Sequence, residues 1–102
     1  MREPLQIQVP SETIADFCRR NHIRQLSFFG SVLRDDFRPD SDVDVLVEFE
    51  PSSPVGYLAL AAMEMELGEI LGRRVDLRTP AELSRYFRDA VLAEAAVEYV
   101  QG

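Results

Sequence analysis

The fold of this 102-residue chain follows from residues 42–49, which read Asp-Val-Asp-Val-Leu-Val-Glu-Phe. Apolar and polar residues alternate strictly along this segment, which is the pattern of a β-strand with one buried face. A slip of one residue would bury the aspartates, so the pattern also sets the register of the strand. The segment predicts a strand over residues 43–49. One face carries Val43, Val45, Val47 and Phe49, and the other carries Asp42, Asp44, Leu46 and Glu48.

The flanking sequence predicts an α/β (α+β) fold, in which a small mixed β-sheet is packed by helices. No internal repeat or long linker interrupts the chain, so we expect a single domain over residues 1–102. The predicted order is helix, strand, strand, helix, strand, helix. The predicted bounds are helix 11–21, strand 23–29, helical turn 31–35, strand 43–49, helix 55–71, strand 75–77 and helix 84–99.

Composition and charge narrow the classes of function. The net charge of −7 argues against direct binding to nucleic acid, which needs a surplus of basic residues on one face. No apolar run approaches the roughly 18 residues that span a bilayer. Cys18 is the only cysteine, so no internal disulfide can form. We therefore expect a reduced, cytoplasmic setting without membrane contact.

A possible phosphate-binding segment begins where the first predicted strand ends. Gly30 lacks a Cβ and lets a phosphate approach the backbone closely. Ser31 can open the next helical turn, where its hydroxyl and free backbone N–H groups would point at an anion. Arg34 lies one turn later and can reach the same phosphates, although a solvated surface arginine remains an alternative. The segment predicts nucleotide binding by Gly30, Ser31 and Arg34.

Three aspartates are candidate metal ligands. Asp42 and Asp44 are two apart on a strand, so their carboxylates share a face. Asp76 lies between Val75 and Leu77 on the third predicted strand, and it would join them if the two strands are neighbours. Magnesium prefers a few carboxylates together with phosphate oxygens, and two ions about 3.5–4 Å apart stabilise both oxygens of a phosphoryl transfer.

Each aspartate also has a simpler explanation. Asp42 precedes the strand and fits a turn residue. Asp76 fits a charge that protects a strand edge from aggregation, and it also fits a base that accepts the proton of an attacking hydroxyl.

Gly30-Ser31, a ten-residue gap, Asp42 and Asp44, with Asp76 on a later strand, resemble the DNA polymerase beta-type nucleotidyltransferase superfamily. Within it, residues 29–34, 38–49 and 72–77 are similar to the minimal nucleotidyltransferase (MNT) antitoxins, and the similarity extends over roughly residues 12–100. The resemblance implies a polymerase beta-like fold. It also implies that Asp42, Asp44 and Asp76 are catalytic and hold magnesium, with ATP as the substrate.

The resemblance further implies a partner and a reaction. Characterised MNT antitoxins transfer AMP from ATP to a tyrosine hydroxyl of a HEPN-domain RNase toxin encoded nearby, which neutralises that toxin. The expected assembly is a hetero-oligomer of the two proteins. The number of magnesium ions implied is two.

One departure from the family pattern supports an alternative. Family members often carry Ala-Arg-Gly after the serine and the next residue, where this chain has Leu33-Arg34-Asp35. The alternative is a non-catalytic antitoxin that blocks its toxin by binding and occlusion. A weaker alternative is a phosphohydrolase that uses the same metals.

Overall fold

The computed structural model describes residues 7–33, 38, 40–52, 54–86 and 88–101. Three helices and four strands form an α/β fold, which confirms the predicted class. The helices are α1 (Ser11–Arg20), α2 (Tyr57–Leu71) and α3 (Arg88–Glu94). The strands are β1 (Ile23–Phe29), β2 (Val43–Phe49), β3 (Val75–Arg78) and β4 (Ala96–Val100). Short 3-10 turns span Gly30–Leu33 and Pro80–Glu82.

The four strands form one mixed sheet in the order β3-β2-β1-β4. Strand β1 runs antiparallel to both β2 and β4. Strands β2 and β3 are parallel, and α2 provides the crossover that a parallel pair requires. The two strands that carry the candidate aspartates are therefore neighbours.

The core lies on the valine face of β2, as the alternation predicts. Val43, Val45 and Val47 are fully buried. They belong to one apolar cluster with residues from α1, β1, α2 and β3. The cluster includes Ile14, Phe17, Cys18, Leu26, Phe28, Met63, Leu67, Val75 and Leu77. Burial of the valines orients the polar residues of β2 to the opposite face, because side chains alternate along a strand.

The predicted C-terminal helix over residues 84–99 is wrong. Helix α3 ends at Glu94, and β4 follows it directly. Strand β4 pairs with β1, whose backbone groups would otherwise form an open sheet edge. The pairing satisfies backbone donors across the gap, and the Gln101 N–H donates to the Arg24 carbonyl at 2.8 Å. Tertiary pairing thus overrides the local helical pattern of this alanine- and glutamate-rich segment.

Membrane insertion through a helix finds no support in the structure. Across residues 7–33, 40–52, 54–86 and 88–101, no helix combines the length and the apolar character needed to cross a bilayer.

Candidate active site

The turn at Gly30–Leu33 lies against the carboxylate of Asp44. Gly30 has a φ of +75°, in the left-handed region that side chains disfavour. A Cβ at residue 30 would overlap Oδ2 of Asp44 and would lie 3.1 Å from its Cγ. Both the backbone conformation and the close contact therefore require glycine here. Since Phe29 is paired with Asp44 across β1 and β2, the turn begins directly beside this carboxylate.

Asp44 and Asp76 are direct partners on the parallel strands β2 and β3. Neighbouring strands are ~4.8 Å apart, and the side chains of paired residues point to the same face. That face is opposite to the buried Val43 and Val75. The structure therefore brings Asp76 to the same side of the sheet as Asp44, with the Gly30 turn on the other flank of Asp44.

Asp42 lies just before β2 and is half-exposed. Its Oδ1 is 3.5 Å from Nε of Arg74, whose side chain is 82% exposed. The Val43 N–H donates to the Arg74 carbonyl at 2.9 Å, which attaches this end of β2 to the segment that leads into β3. The ion pair is long and solvated, so it contributes little to stability.

Asp76 is engaged by Arg78, two residues later on the same strand and therefore on the same face. Nε of Arg78 donates to Oδ1 of Asp76 at 3.0 Å, and Nη2 donates to Oδ2 at 3.3 Å. The hydrogen bond and charge of Asp76 raise the pKa of the Arg78 guanidinium, with smaller contributions from Glu82 and Asp44. Sequence reasoning missed Arg78 as a site residue, although its spacing from Asp76 on a strand was the available signal.

The three aspartates do not form a ready-made metal centre. Among the described residues, no group of three acidic, histidine or cysteine side chains is gathered closely enough to hold a metal ion. The ion pairs of Asp42 and Asp76 with arginines account for part of this. The donor chemistry nevertheless fits magnesium, which uses one or two carboxylates and completes its shell with water and substrate phosphate oxygens.

Two predicted nucleotide-binding residues are described incompletely. The backbone of Ser31 lies in the Gly30–Leu33 turn, but its side chain is outside the described part of the chain. Arg34 lies wholly outside the described residues. Nucleotide contacts by these two side chains therefore stay predictions.

A cleft of about 240 Å³ opens on the outer side of Asp76, between α2 and β3. Its apolar wall comes from α2 and β3, and its polar wall carries Arg78 and two further glutamates. Glu64 accepts a hydrogen bond from the Leu77 N–H at 2.8 Å and so satisfies a donor on the outer edge of β3. The cleft is lined by Tyr57, Leu60, Ala61, Glu64, Asp76, Leu77, Arg78 and Glu82.

This fold and this site, a glycine turn beside carboxylates on two central strands, define a nucleotidyltransferase. The family profile described as "Nucleotidyltransferase domain" matches residues 11–99, and the chain belongs to that family. Among its relatives, protein adenylyltransferase MntA of Thermococcus cleftensis is 38% identical over 72 residues, which cover 71% of each chain. These matches confirm the family resemblance of the sequence.

Solved structures show the same fold. A crystal structure of a toxin–antitoxin with AMP-PNP contains a chain that matches with a TM-score of 0.73 at 19% identity, over 91% of this chain and 75% of that chain. A structure of tri-AMPylated Shewanella oneidensis HEPN toxin in complex with MNT antitoxin contains a chain that matches with a TM-score of 0.65 at 19% identity, over 89% of this chain and 70% of that chain. At such identities the likeness establishes the fold, and it confirms the predicted nucleotidyltransferase fold.

Proposed function

We propose that this chain is an antitoxin that transfers AMP from ATP to a tyrosine hydroxyl of a HEPN-type RNase toxin and thereby neutralises it. The observation that carries the proposal is the register of Asp44 with Asp76 beside the Gly30 turn. It puts a candidate phosphate-binding backbone and two carboxylates within one short stretch of sheet. The relation to MntA of T. cleftensis supports adenylylation as the reaction.

Each site residue has a role in this reaction. The backbone of the Gly30–Leu33 turn, with Ser31 and Arg34, binds the phosphates of ATP. Asp42, Asp44 and Asp76 hold magnesium, of which two ions are expected. When bound, magnesium neutralises phosphate charge and stabilises the attacking and leaving oxygens.

The transfer itself is an in-line displacement at the α-phosphorus. The acceptor oxygen forms a bond to that phosphorus, while the bond to the bridging oxygen breaks and pyrophosphate leaves. Asp76, at the flank of the site away from the Gly30 turn, accepts the proton of the acceptor hydroxyl. Positioning and charge neutralisation supply most of the rate in such chemistry.

A protein acceptor is supported by the outward surface of α2. Tyr57, Leu58 and Met65 are 86%, 89% and 71% exposed. Large apolar side chains grouped on one exposed helix are typical of a protein contact surface. Tyr57 also lines the cleft beside Asp76, so a protein bound to α2 has its side chains within reach of the site. The HEPN toxin that accompanies an MNT antitoxin in S. oneidensis supports this choice of partner.

Occlusion without transfer is the second candidate. The departure at Leu33-Arg34-Asp35 favours it, as do the ion pairs that engage Asp42 and Asp76. Under this alternative the chain inhibits the toxin by binding alone, and loss of the aspartates leaves inhibition intact.

The test is to incubate the protein with α-labelled ATP, magnesium and the HEPN-type protein encoded beside it. We expect label on the partner, an intact mass raised by whole AMP units and loss of its RNase activity. Asp44→Asn and Asp76→Asn should abolish the labelling. Glu48→Gln is the matched control, because Glu48 is on the same face of β2 but pairs with Arg24 at 3.1 Å. Toxin inhibition that persists in Asp44→Asn without any label supports occlusion and contradicts the transferase.

A further inference from the structure

The Arg78–Asp76 pair is a second structural feature of the site, and it concerns how Asp76 becomes available. Both carboxylate oxygens of Asp76 accept hydrogen bonds from one guanidinium. The two side chains are 46% and 36% exposed, so solvent ions can reach them. A carboxylate whose two oxygens are both engaged by a guanidinium is a poor ligand for a cation, because ion and guanidinium compete for the same lone pairs.

The position of Arg78 in the sheet places this competition in the acidic site. Arg78 is the register partner of Leu46, two residues from the pairing of Asp44 with Asp76. Asp44 and Glu82 both contribute to raising the Arg78 pKa, although less than Asp76 does. The guanidinium therefore stabilises a site in which two carboxylates face each other across neighbouring strands and would otherwise repel.

We propose that Arg78 is a positioning residue that holds Asp76 while no metal is bound and releases it when a divalent cation enters together with a nucleotide. The inference rests on the proposed function, in which Asp76 is a metal ligand. A bare cation displaces Arg78 without offering it another partner. A nucleotide brings phosphate oxygens that can accept the freed guanidinium, so Arg78 favours the metal–nucleotide complex over the bare ion.

Manganese binding measures this competition without any catalytic step. We expect Arg78→Ala to bind free Mn²⁺ about three- to five-fold more tightly than the wild type in an electron paramagnetic resonance titration, as fits the loss of one exposed ion pair. The same variant should bind α,β-methylene ATP with Mg²⁺ no more tightly than the wild type. Equal or weaker Mn²⁺ binding by Arg78→Ala would overturn the proposal.

Matched variants separate Arg78 from general charge effects and from the proposed function. Arg24→Ala removes one positive charge from an ion pair of similar exposure on the same sheet, and it should leave Mn²⁺ affinity unchanged. Arg78→Gln serves if Arg78→Ala fails to fold, which circular dichroism reports. Asp44→Ala and Asp76→Ala should each weaken Mn²⁺ binding. Wild-type binding in both would contradict the metal site itself, whereas failure of the Arg78 variants alone would leave the proposed function standing.

A direct observation of the side chain completes the test. In ¹⁵N-labelled protein the Nε–Hε signal of Arg78, identified by its absence in Arg78→Lys, should shift when Mg²⁺ and α,β-methylene ATP are added. The Arg24 signal should stay in place. An Arg78 signal that does not move at saturation contradicts its release from Asp76.

Discussion

The α-carbon of Gly30 lies so close to the Asp44 carboxylate that a side chain at residue 30 would overlap Oδ2. This contact connects the end of β1 to the middle of the acidic site. Because Asp44 is also the partner of Asp76, the turn and the two carboxylates form one continuous unit. Any displacement of residue 30 should therefore be felt by the aspartates.

Gly30→Ala should abolish AMP transfer and lower stability. The left-handed backbone alone costs a non-glycine residue roughly 1–2 kcal/mol, and the new methyl group would displace Asp44. Transfer of labelled AMP and urea denaturation measure the two effects. Gly56→Ala is the matched control, since nothing lies within 4 Å of a Cβ at Gly56. Normal transfer by Gly30→Ala would show that the turn does not position Asp44.

Glu64→Ala should loosen β3, which carries Asp76. Glu64 is the acceptor for the Leu77 N–H on the outer edge of this strand. Loss of the acceptor from a part-buried donor should cost about 1 kcal/mol and speed amide exchange at Leu77. Glu64→Gln keeps an acceptor oxygen and should retain most of the stability. Unchanged exchange at Leu77 in Glu64→Ala would argue against the bond.

Stability should fall in alkaline solution because of Cys18. Burial raises the pKa of this thiol from 9.0 to about 12, opposed weakly by Arg19 and assisted by Glu98. The folded chain keeps its proton while the unfolded chain loses it, so this contribution to stability is present below pH 9 and is lost as pH rises toward 12. Urea denaturation between these limits should show a steeper decline for the wild type than for Cys18→Ala. Parallel slopes would contradict a buried neutral thiol.

Leu58→Asp and Met65→Asp should weaken binding to the partner toxin by at least about ten-fold, as expected when a contact worth more than 1.4 kcal/mol is lost. Both side chains are largely exposed, so the substitutions should not change the melting temperature. Calorimetric titration with the toxin measures the effect. Tyr86→Asp is the control, because Tyr86 is 91% exposed but is not on α2. Full affinity in both α2 variants would exclude this surface.

Sequence periodicity was sufficient for β2 and for the face on which its aspartates lie. The valines at 43, 45 and 47 are buried as the alternation requires, and residues of one strand cannot change face independently. The glycine at residue 30 was likewise recognisable as a strand end, because its role depends on the local backbone. These features depend on neighbours in the chain, which a linear pattern records.

Strand β4 and the arginine at residue 78 were not recognisable in the same way. Residues 96–100 are held in a strand by β1, about 70 residues earlier in the chain, and local helical tendency is too weak to resist that pairing. The ion pair with Asp76 required knowledge of which face of β3 meets the site. Local alternation of side chains thus specified the central strand and its carboxylates. Long-range strand pairing specified their neighbours, because backbone hydrogen bonds between distant segments leave no periodic trace in either segment alone.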